Sequence, residues 1–521
     1  MLLKPRELVN LVYSSRRPGF CFIPGGDSML TRDVPLNVRE WMQGVIKEEE
    51  INRYLVNGRD FINDEEIEEL LRKHRNPEPQ RVRDIIAKSL ALERLEPEET
   101  ATLLNVEDEE LWEEIFQAAG EVKRKVYGDR IVTFAPLYCS NFCVNNCLYC
   151  GFRRDNHLQK RRQLTIEEVR REAEALVSMG HKRLIMVYGE HPLSDVDYIA
   201  KTIQTVYETK VGNGEIRRVN VNAAPMDIAR LRVLKEVGIG TFQVFQETYH
   251  HETYRKVHPE GTLKAHYRWR LYALHRAQEA GIDDVAIGAL FGLYDWKFEV
   301  MGLLYHTIDL ERHFGGVGPH TISFPRLEPA INTPFVQETQ YKVSDRDFKR
   351  LVAVIRLSVP YTGMIITARE PAHIRREVIP VGCTQTDAST RIGIGAYSDR
   401  YTEQDLKRQQ FQIGDPRSLD EVVRELAEMG YITSFCTADY RCGRTGKYFM
   451  GIAKKGKIHH FCMPNAILTF KEYLIDYASP ETRSVGERII EQKFAELDEA
   501  LKPIVREYLE RIERGERDLR I

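Results

Sequence analysis

The stretch Cys143-Val-Asn-Asn-Cys147-Leu-Tyr-Cys150 places three cysteines within eight residues, in the spacing Cys-x3-Cys-x2-Cys. Thiolates are soft ligands that select zinc, copper(I) or iron–sulfur clusters. A 4Fe-4S cubane ordinarily takes four cysteines, so three leave one iron without a protein ligand. An open iron can bind the amino and carboxylate groups of S-adenosylmethionine (SAM), and an electron from the cluster can then split the sulfonium to a 5′-deoxyadenosyl radical. The loop, with Tyr149 before its last cysteine, therefore predicts radical SAM chemistry.

Two other uses of these cysteines compete with a cluster. Cys139 lies four residues before the motif, and with Cys143, Cys147 and Cys150 it would supply a four-thiolate zinc site. The resulting spacing, Cys-x3-Cys-x3-Cys-x2-Cys, is unusual for zinc. Disulfides are disfavoured because nine cysteines in 521 residues are far fewer than in a secreted disulfide scaffold. We expect Cys139 to pack as a small buried residue.

Size and composition exclude several classes of protein. A chain of 521 residues with 42% hydrophobic and 29% charged residues describes a globular protein of two or three units. A net charge of −3 gives no field that attracts nucleic acid, and no apolar run is long enough to cross a bilayer. The basic N-terminus lacks the apolar core of a secretory signal. We expect a reducing, cytoplasmic location and leave an organellar transit peptide open.

The middle of the chain alternates short apolar strands with helices of ten or more residues, which predicts an α/β fold of parallel βα units. Seven or eight such units close most simply as a TIM-type (βα)8 barrel, whose active site lies at the carboxyl ends of the strands. Thr165 and Glu168 form a predicted helix capping box. The expected strands are Ile131–Ala135, Arg183–Val187, Arg218–Asn222, Thr241–Phe245, Asp284–Leu290, Thr321–Phe324 and Met364–Thr367.

We place the barrel at residues 129–375, with further units on either side. Residues 1–45 carry proline and glycine and predict an irregular extension. Residues 46–128 are charged with helical periodicity and predict a helical lead-in that caps the barrel; a DNA-binding helix-turn-helix is disfavoured because no basic recognition face follows. Residues 376–521 predict a mainly helical C-terminal domain, whose cysteines are Cys436, Cys442 and Cys462.

Longer stretches carry a family resemblance. The stretches are Phe134-Ala-Pro-Leu-Tyr138, Tyr188-Gly-Glu-His-Pro192, Val244-Phe-Gln-Glu-Thr-Tyr-His250, Leu290-Phe-Gly-Leu-Tyr-Asp295 and Gly318-Pro-His-Thr-Ile-Ser-Phe-Pro-Arg326. From about residue 45 onward the chain resembles the radical SAM tyrosine lyases that mature FeFe-hydrogenase, a sister family of the 2-iminoacetate synthase of thiazole synthesis. The resemblance implies hydrogen abstraction from the amino group of L-tyrosine and cleavage of its Cα–Cβ bond to p-cresol and dehydroglycine. It also implies a reductant such as ferredoxin or flavodoxin, and other hydrogenase maturases as partners.

The resemblance assigns roles by position. Glu190 is expected to meet the SAM amino group, and Glu247 to hold the SAM methionine end. Ser323 and Arg326 are expected to grip the tyrosine carboxylate, which the guanidinium fork fits. For Glu190 and Arg326 the alternative is a structural ion pair. For Arg268 and Arg270 it is a position on the solvated face of a helix. The implied SAM-binding residues are Gly189, Glu190, Glu247, and Arg268 or Arg270.

The family also carries an auxiliary iron–sulfur cluster held by Cys-x2-Cys-x22-Cys, where dehydroglycine becomes CO and cyanide on a fifth iron. Cys436 and Cys462 fit that pattern, but Asp439 stands at the middle position and Cys442 lies three residues further on. There are three alternatives for the middle ligand. Asp439 binds iron through a carboxylate oxygen, or Cys442 takes its place after a shift of the loop. In the third alternative, the cluster is absent or labile. These three outcomes stay open at the level of sequence.

A barrel histidine helps to hold the fifth iron in this family. His320 is the first candidate and His258 the second, and for each the alternative is a hydrogen-bonded core histidine. Two further functions compete with hydrogenase maturation: release of dehydroglycine to thiazole synthesis, and a non-catalytic iron–sulfur scaffold. Asp439 favours the first of these, whereas the C-terminal cysteine domain argues against it.

Overall fold

The structure is a computed structural model that describes residues 38–399 and 404–521. Most of the extension expected over residues 1–45 therefore lies outside the described residues. The strands of the described chain are β1 Arg130–Ser140, β2 Arg183–Tyr188, β3 Lys210–Val211, β4 Gly214–Glu215, β5 Arg218–Asn222, β6 Phe242–Gln243, β7 Val285–Gly288, β8 Thr321–Ser323, β9 Gly363–Ile366, β10 Gln385–Asp387 and β11 Ile432–Ser434.

Eight parallel strands close into a barrel. The order is β1-β2-β5-β6-β7-β8-β9-β10, and β10 returns to pair with β1, with Val132 opposite Gln385. The closed ring confirms the predicted TIM-type barrel. β11 pairs in parallel with the first residues of β1, opposite Arg130 to Val132, and β3 and β4 form a separate antiparallel pair.

Seven of the eight barrel strands were predicted, and β10 was missed. Its three residues are Gln385, Thr386 and Asp387, which are buried although they are polar. Such a strand has no apolar run to identify it. β10 lies beyond residue 375, the predicted end of the barrel. The division of the chain into four units stays a prediction.

Helices surround the barrel and extend it at both ends. The lead-in packs on the barrel helix Asp345–Ser358: the Leu95 N–H donates to the Ser358 carbonyl at 3.0 Å, and the Ser89 hydroxyl to the Leu357 carbonyl at 2.8 Å. In the described residues the lead-in helices are Val38–Gln43, Glu48–Asn52, Asp64–Lys73, Pro79–Leu90, Pro97–Leu104 and Glu109–Tyr127. The barrel helices are Ile166–Ser178, Val196–Glu208, Ile228–Val237, His251–Val257, Tyr267–Leu271, Ala273–Glu279, Trp296–His313, Phe335–Glu338, Asp345–Ser358 and Ala372–Val378. The C-terminal helices are Leu419–Glu428, Ala438–Arg441, Gly446–Ala453, His459–Asp476, Pro480–Ala495 and Lys502–Glu513.

Strand β1 shows how one barrel provides two cavities. Alternate residues of a strand face the same side, and on β1 Phe134, Pro136 and Tyr138 line a cavity at the carboxyl ends of the strands. Arg130 and Val132 line a second cavity at the amino ends. At roughly 3.3 Å per residue, the strand spans about 26 Å between Arg130 and Tyr138. We call these the upper and the lower cavity.

The capping box of helix Ile166–Ser178 gives a test of local stability. The Glu168 N–H donates to the Thr165 hydroxyl at 3.2 Å, and the Thr165 N–H donates to the Glu168 carboxylate at 2.7 Å. Thr165→Ala should destabilise this helix by about 1 kcal/mol, because an amide at its start loses its acceptor. Amide hydrogen exchange in the first turn should become about five times faster. Thr165→Ser should exchange like the unchanged protein, and equal exchange in the alanine variant would contradict the assignment.

Candidate functional site

The upper cavity gathers most of the expected site residues. It has a volume of about 230 Å³ and lies at the carboxyl ends of the barrel strands. Of the expected residues, those that line it are Cys143, Cys147, Cys150, Gly189, Glu190, Glu247, Arg270 and Ser323. Arg268 and Arg326 do not line it. Residues from distant parts of the sequence thus meet at one end of the barrel, as expected for the active end of this fold.

The spread of the three cysteines fits a cluster better than a single zinc ion. Sulfurs around one zinc at about 2.3 Å lie within about 4.6 Å of one another. The sulfurs of the cysteine loop do not all lie within 4.8 Å of one another. In the described residues, the group that meets this limit is His275, Asp309 and His313. Cys139 is fully buried on β1 and does not line the cavity, which confirms its expected packing role.

The cysteine side chains are buried, so their charged thiolate forms need a positively charged partner. Burial raises the pKa of Cys147 to about 12 and also raises the pKa of Cys143. A thiolate is the ligand form, so the charge of bound iron must offset this cost of burial. Side-chain amides already point at two sulfurs: Gln410 Nε2 lies 3.4 Å from Cys150 Sγ, and Asn145 Nδ2 lies 3.8 Å from Cys143 Sγ. The loop therefore fits the iron–sulfur cluster that its spacing predicts.

Glu190 is a buried carboxylate that no described cation pairs with. The Asn145 amide donates to it, and the Val144 N–H donates to its backbone carbonyl at 2.8 Å. Burial raises the pKa of Glu190, because the charged form loses its hydration. The neighbouring Gly189 lets the cysteine loop approach closely, since a Cβ there would lie 2.2 Å from the Phe142 carbonyl oxygen. A ligand ammonium would supply the missing positive charge beside Glu190.

Glu247 has the opposite setting. Its carboxylate accepts from Lys264 Nζ at 2.7 Å and from Arg270 at 3.2 Å. Burial alone would raise the pKa of Glu247, but these two cations more than reverse that effect and lower it. The backbone φ of Glu247 is +72°, a strained value that non-glycine residues rarely adopt outside functional sites. Arg268, the alternative to Arg270, is 43% exposed and paired with Asp60 at 2.9 Å outside the cavity.

Lys264 was not singled out from the sequence, although it lines the upper cavity beside Cys147. It lies in the single-turn 3-10 helix Leu263–Ala265, and a segment this short has no periodicity that marks a site residue. Its ammonium brings a second cation to the Glu247 carboxylate.

Arg326 is held away from the cavity by two carboxylates. Its Nε donates to Glu370 at 3.0 Å, and a terminal nitrogen donates to Asp345 at 2.7 Å. Ser323, at the end of β8, does line the cavity. The structure therefore separates the two residues that were expected to grip one carboxylate.

A different arginine, Arg369, faces the cavity and was missed. Its guanidinium lies 3.3 Å from the centre of the Phe411 ring. Of the described residues, no carboxylate lies within salt-bridge distance of it, so its charge is available to a ligand. Arg369 follows strand β9 by three residues, and its place after a barrel strand is the one signal that could have identified it.

The lower cavity brings Asp439 together with two cysteines. Cys436, Asp439 and Cys462 all line it, and Asp439 Oδ2 lies 3.5 Å from Cys462 Sγ. Cys442 is exposed and does not line the cavity. The other oxygen of Asp439 accepts from Arg444 Nε at 2.6 Å. Of the two candidates for the middle ligand, Asp439 therefore occupies the position beside the cysteines.

The lower cavity also holds two buried arginines that no described carboxylate neutralises, although Arg183 donates to the Cys436 carbonyl at 2.7 Å. Arg130 and Arg183 are buried, their Nε atoms make no hydrogen bond in the described chain, and neither is paired with a described carboxylate. Burial lowers the pKa of Arg183 to about 9. Buried cations without an anionic partner are costly, so an anionic group suits this space. A cluster bound by thiolates and a carboxylate has the charge that fits.

The two candidate histidines lie at opposite ends of the barrel. His320 lines the lower cavity with its Nδ1 3.4 Å from the Asp284 carboxylate, and burial lowers its pKa to about 4. A neutral imidazole is the form that binds metal. His258 Nδ1 donates to the Tyr254 carbonyl at 3.0 Å, and its Nε2 lies 2.8 Å from the Tyr149 hydroxyl. Both nitrogens of His258 are therefore engaged behind the cysteine loop, away from the lower cavity.

Comparisons with known proteins agree with this geometry. The Radical SAM superfamily matches residues 137–301, and the Biotin and Thiamin Synthesis associated domain matches residues 323–432. The chain is similar to 2-iminoacetate synthase of Escherichia coli (strain K12), with 29% identity over 347 residues, 66% of this chain and 88% of the relative. It is also similar to the FeFe-hydrogenase maturase subunit HydE of Thermotoga maritima, with 28% identity over 272 residues, 51% of this chain and 70% of HydE. The barrel and the three-cysteine loop thus define a radical SAM protein.

Solved structures narrow the class. A crystal structure of HydG, a maturase of the FeFe-hydrogenase, superposes with a TM-score of 0.85 at 51% identity and covers 89% of this chain and all 100% of that chain. HydG from Carboxydothermus hydrogenoformans superposes with a TM-score of 0.74 at 39% identity, covering 89% and 99%. The chain belongs to the HydG family of radical SAM maturases. Among the described helices, none combines the length and apolar character needed to span a membrane.

Gly189 gives a test of the cysteine-loop geometry. Gly189→Ala should push the Phe142 carbonyl and displace the cysteine loop, because a Cβ has no space there. Such overpacking costs about 1–3 kcal/mol, so SAM should bind roughly tenfold more weakly or worse. Equilibrium binding of SAM to the anaerobically reconstituted protein, with iron counted per chain, measures this. Gly451→Ala is the control, since a Cβ there meets nothing within 4 Å; unchanged SAM affinity in Gly189→Ala would refute the assignment.

Proposed function

We propose that this protein cleaves the Cα–Cβ bond of L-tyrosine, in a SAM-dependent reaction, to p-cresol and dehydroglycine. We further propose that the lower cavity converts dehydroglycine to CO and cyanide for assembly of the FeFe-hydrogenase H-cluster. The observation that carries the proposal is the pair of cysteine-bearing cavities at the two ends of one barrel. HydG relatives at 51% and 39% identity support it.

The upper cavity offers complementary groups to both ends of the SAM methionine moiety. When bound at Cys143, Cys147 and Cys150, a 4Fe-4S cluster supplies the electron that cleaves SAM. The Glu190 carboxylate accepts hydrogen bonds from the SAM ammonium, which provides the cation that Glu190 lacks. Arg270, fixed by Glu247, faces the SAM carboxylate.

The tyrosine substrate needs a site for its carboxylate and one for its ring. Ser323 and Arg369 line the cavity and offer a hydroxyl and a guanidinium to the carboxylate. Arg326, which the resemblance assigns to this carboxylate, is held outside the cavity by Glu370 and Asp345. For the ring, a small apolar cluster of the cavity wall is in place, made of Phe134, Ile185 and Ile365.

The lower cavity holds the second cluster through an altered ligand set. We assign Cys436, Asp439 and Cys462 as its ligands and His320 as a ligand of the fifth iron. Arg130 and Arg183 balance the charge of the bound cluster. A reductant such as ferredoxin or flavodoxin, and other hydrogenase maturases, complete the proposed set of partners.

Product analysis under anaerobic conditions tests the reaction. The reconstituted protein with SAM, L-tyrosine and a chemical reductant should form p-cresol together with 5′-deoxyadenosine. Cys147→Ser should abolish both, because the cluster loses a ligand. Cys139→Ser, in a buried residue outside the cavity, is the matched cysteine control and should retain both products. Formation of 5′-deoxyadenosine without p-cresol in the unchanged protein would exclude tyrosine cleavage, and formation of neither would favour a non-catalytic scaffold.

The ligand assignment at the lower cavity has its own test. Asp439→Cys should raise iron and sulfide toward eight of each per chain, roughly two cubanes, and should make the second cluster more resistant to chelators, because thiolate is the softer ligand. Asp439→Ala should lose the second cluster and keep the first. Cys442→Ser should behave like the unchanged protein, since Cys442 is exposed. Loss of iron in Cys442→Ser with none lost in Asp439→Ala would reverse the assignment.

A second candidate function is release of dehydroglycine as the end product, as the similarity to 2-iminoacetate synthase allows. Asp439 at a cysteine position favours it, because a labile second cluster leaves dehydroglycine unconverted. The same assay separates the two functions: p-cresol with CO and cyanide supports hydrogenase maturation, whereas p-cresol without them supports the second candidate.

A further inference from the structure

The upper cavity contains one carboxylate that no role above uses. Four acidic side chains line the cavity, and three of them are engaged: Glu190 by Asn145, Glu247 by two cations, and Asp387 by the Ala368 N–H at 2.7 Å and the Thr390 hydroxyl at 2.8 Å. Glu328 is the fourth. In the described chain it makes neither a hydrogen bond nor an ion pair.

The backbone around Glu328 is fixed from both sides. The Leu327 N–H donates to the Phe291 carbonyl at 2.8 Å, and the Pro329 carbonyl accepts from the Gln412 N–H at 2.8 Å. Three charged groups face the Glu328 carboxylate: Glu370, Arg369 and Arg326. Glu370 is itself committed to Arg326, so the surroundings hold Glu328 at the cavity wall without neutralising it.

The proposed substrate supplies a chemical need for such a group. An amino acid arrives with an ammonium, whose nitrogen has no lone pair. Abstraction of a hydrogen atom from nitrogen gives a neutral aminyl radical only when the amine is neutral, so one proton must leave first. A carboxylate within hydrogen-bond reach of the ammonium is a suitable acceptor.

We propose that Glu328 is the base that accepts this proton from the ammonium of the bound amino acid. The inference rests on the proposed function. In the step, one N–H bond of the ammonium breaks, its electron pair stays on nitrogen, and the proton forms an O–H bond on Glu328. The products are a neutral amine and a neutral carboxylic acid, so no oxidant or reductant is needed. Arg369, beside Glu328, holds the substrate carboxylate and thereby presents the ammonium.

The electrostatics of the wall suit this role. Burial raises the pKa of Glu328 to about 7, and the negative charge of Glu370 adds to the effect, while Arg369 and Arg326 act against it. Below that pH Glu328 carries its proton and cannot accept another. Above it the carboxylate is ionised and ready, so the rate should rise with pH through about 7.

The test is the pH profile of p-cresol formation by the reconstituted holoenzyme. In the unchanged protein, kcat/KM for tyrosine should rise through an apparent pKa near 7. Glu328→Gln should lower kcat/KM by roughly 10²–10⁴-fold at neutral pH. The rise of kcat/KM near pH 7 should also disappear in this variant. Its residual kcat/KM should instead rise only as the pH approaches the pKa of the substrate ammonium. Formation of 5′-deoxyadenosine without tyrosine should stay unchanged, because it does not require this proton transfer.

Controls separate this step from general damage and from the proposed function. Glu338→Gln, an exposed glutamate ten residues further on, should keep the rate and the profile. Glu328→Asp keeps a carboxylate, so kcat/KM should still rise through pH 7, at a lower level. This variant provides the test if Glu328→Gln does not fold. A Glu328→Gln profile that matches the unchanged protein overturns the base assignment alone. Absence of p-cresol from the unchanged protein at every pH overturns the proposed function, and this step with it.

Discussion

The parallel pairing of β1 with β10 is the contact on which the two sites depend. It joins the first and last strands of the barrel, with Val132 opposite Gln385 and Phe134 opposite Asp387. Closure removes the open edges that an eight-stranded sheet would otherwise expose and turns alternate residues inward. Because β1 is longer than the other barrel strands, its inward residues reach both ends of the barrel. One strand therefore contributes Arg130 to the lower cavity and leads directly into the cysteine loop above.

Buried charges that stabilise the fold are paired, whereas several charges in the two cavities are not. A buried charge is stable where it is paired and hydrogen-bonded, as Arg218 is with Asp284 at 2.9 Å. The charges without an ion-pair partner differ between the two cavities. The upper cavity has the carboxylates of Glu190 and Glu328 together with the guanidinium of Arg369, whereas the lower one has the guanidinium groups of Arg130 and Arg183. The upper cavity is thus suited to ligands that carry both an ammonium and a carboxylate, and the lower one to an anionic cluster.

The sequence predicted the barrel because its long strands are buried apolar runs, and it predicted the cysteine loop because ligand spacing is local. It did not predict β10, since Gln385, Thr386 and Asp387 are polar residues although all three are buried. The missed site residues have a different cause. Arg369 and Glu370 are adjacent in sequence, yet the arginine lines the cavity and the glutamate binds Arg326 behind its wall. The direction of each side chain after the strand ends decides which of the two charges faces the cavity. The hydrophobic pattern of the sequence does not predict that direction.

The aspartate at the lower cavity changes one property of the site and preserves another. Thiolate and carboxylate each carry one negative charge, so the balance with Arg130 and Arg183 is the same for either ligand. They differ in softness, because oxygen binds iron of a sulfur-bridged cluster less strongly than sulfur does. Arg444 holds Asp439 at 2.6 Å and competes with iron for the same carboxylate. With the proposed ligand set, the electrostatic demand for a cluster is therefore retained while its attachment at one corner is weakened. The expected consequence of this residue is exchange at that corner rather than loss of the site.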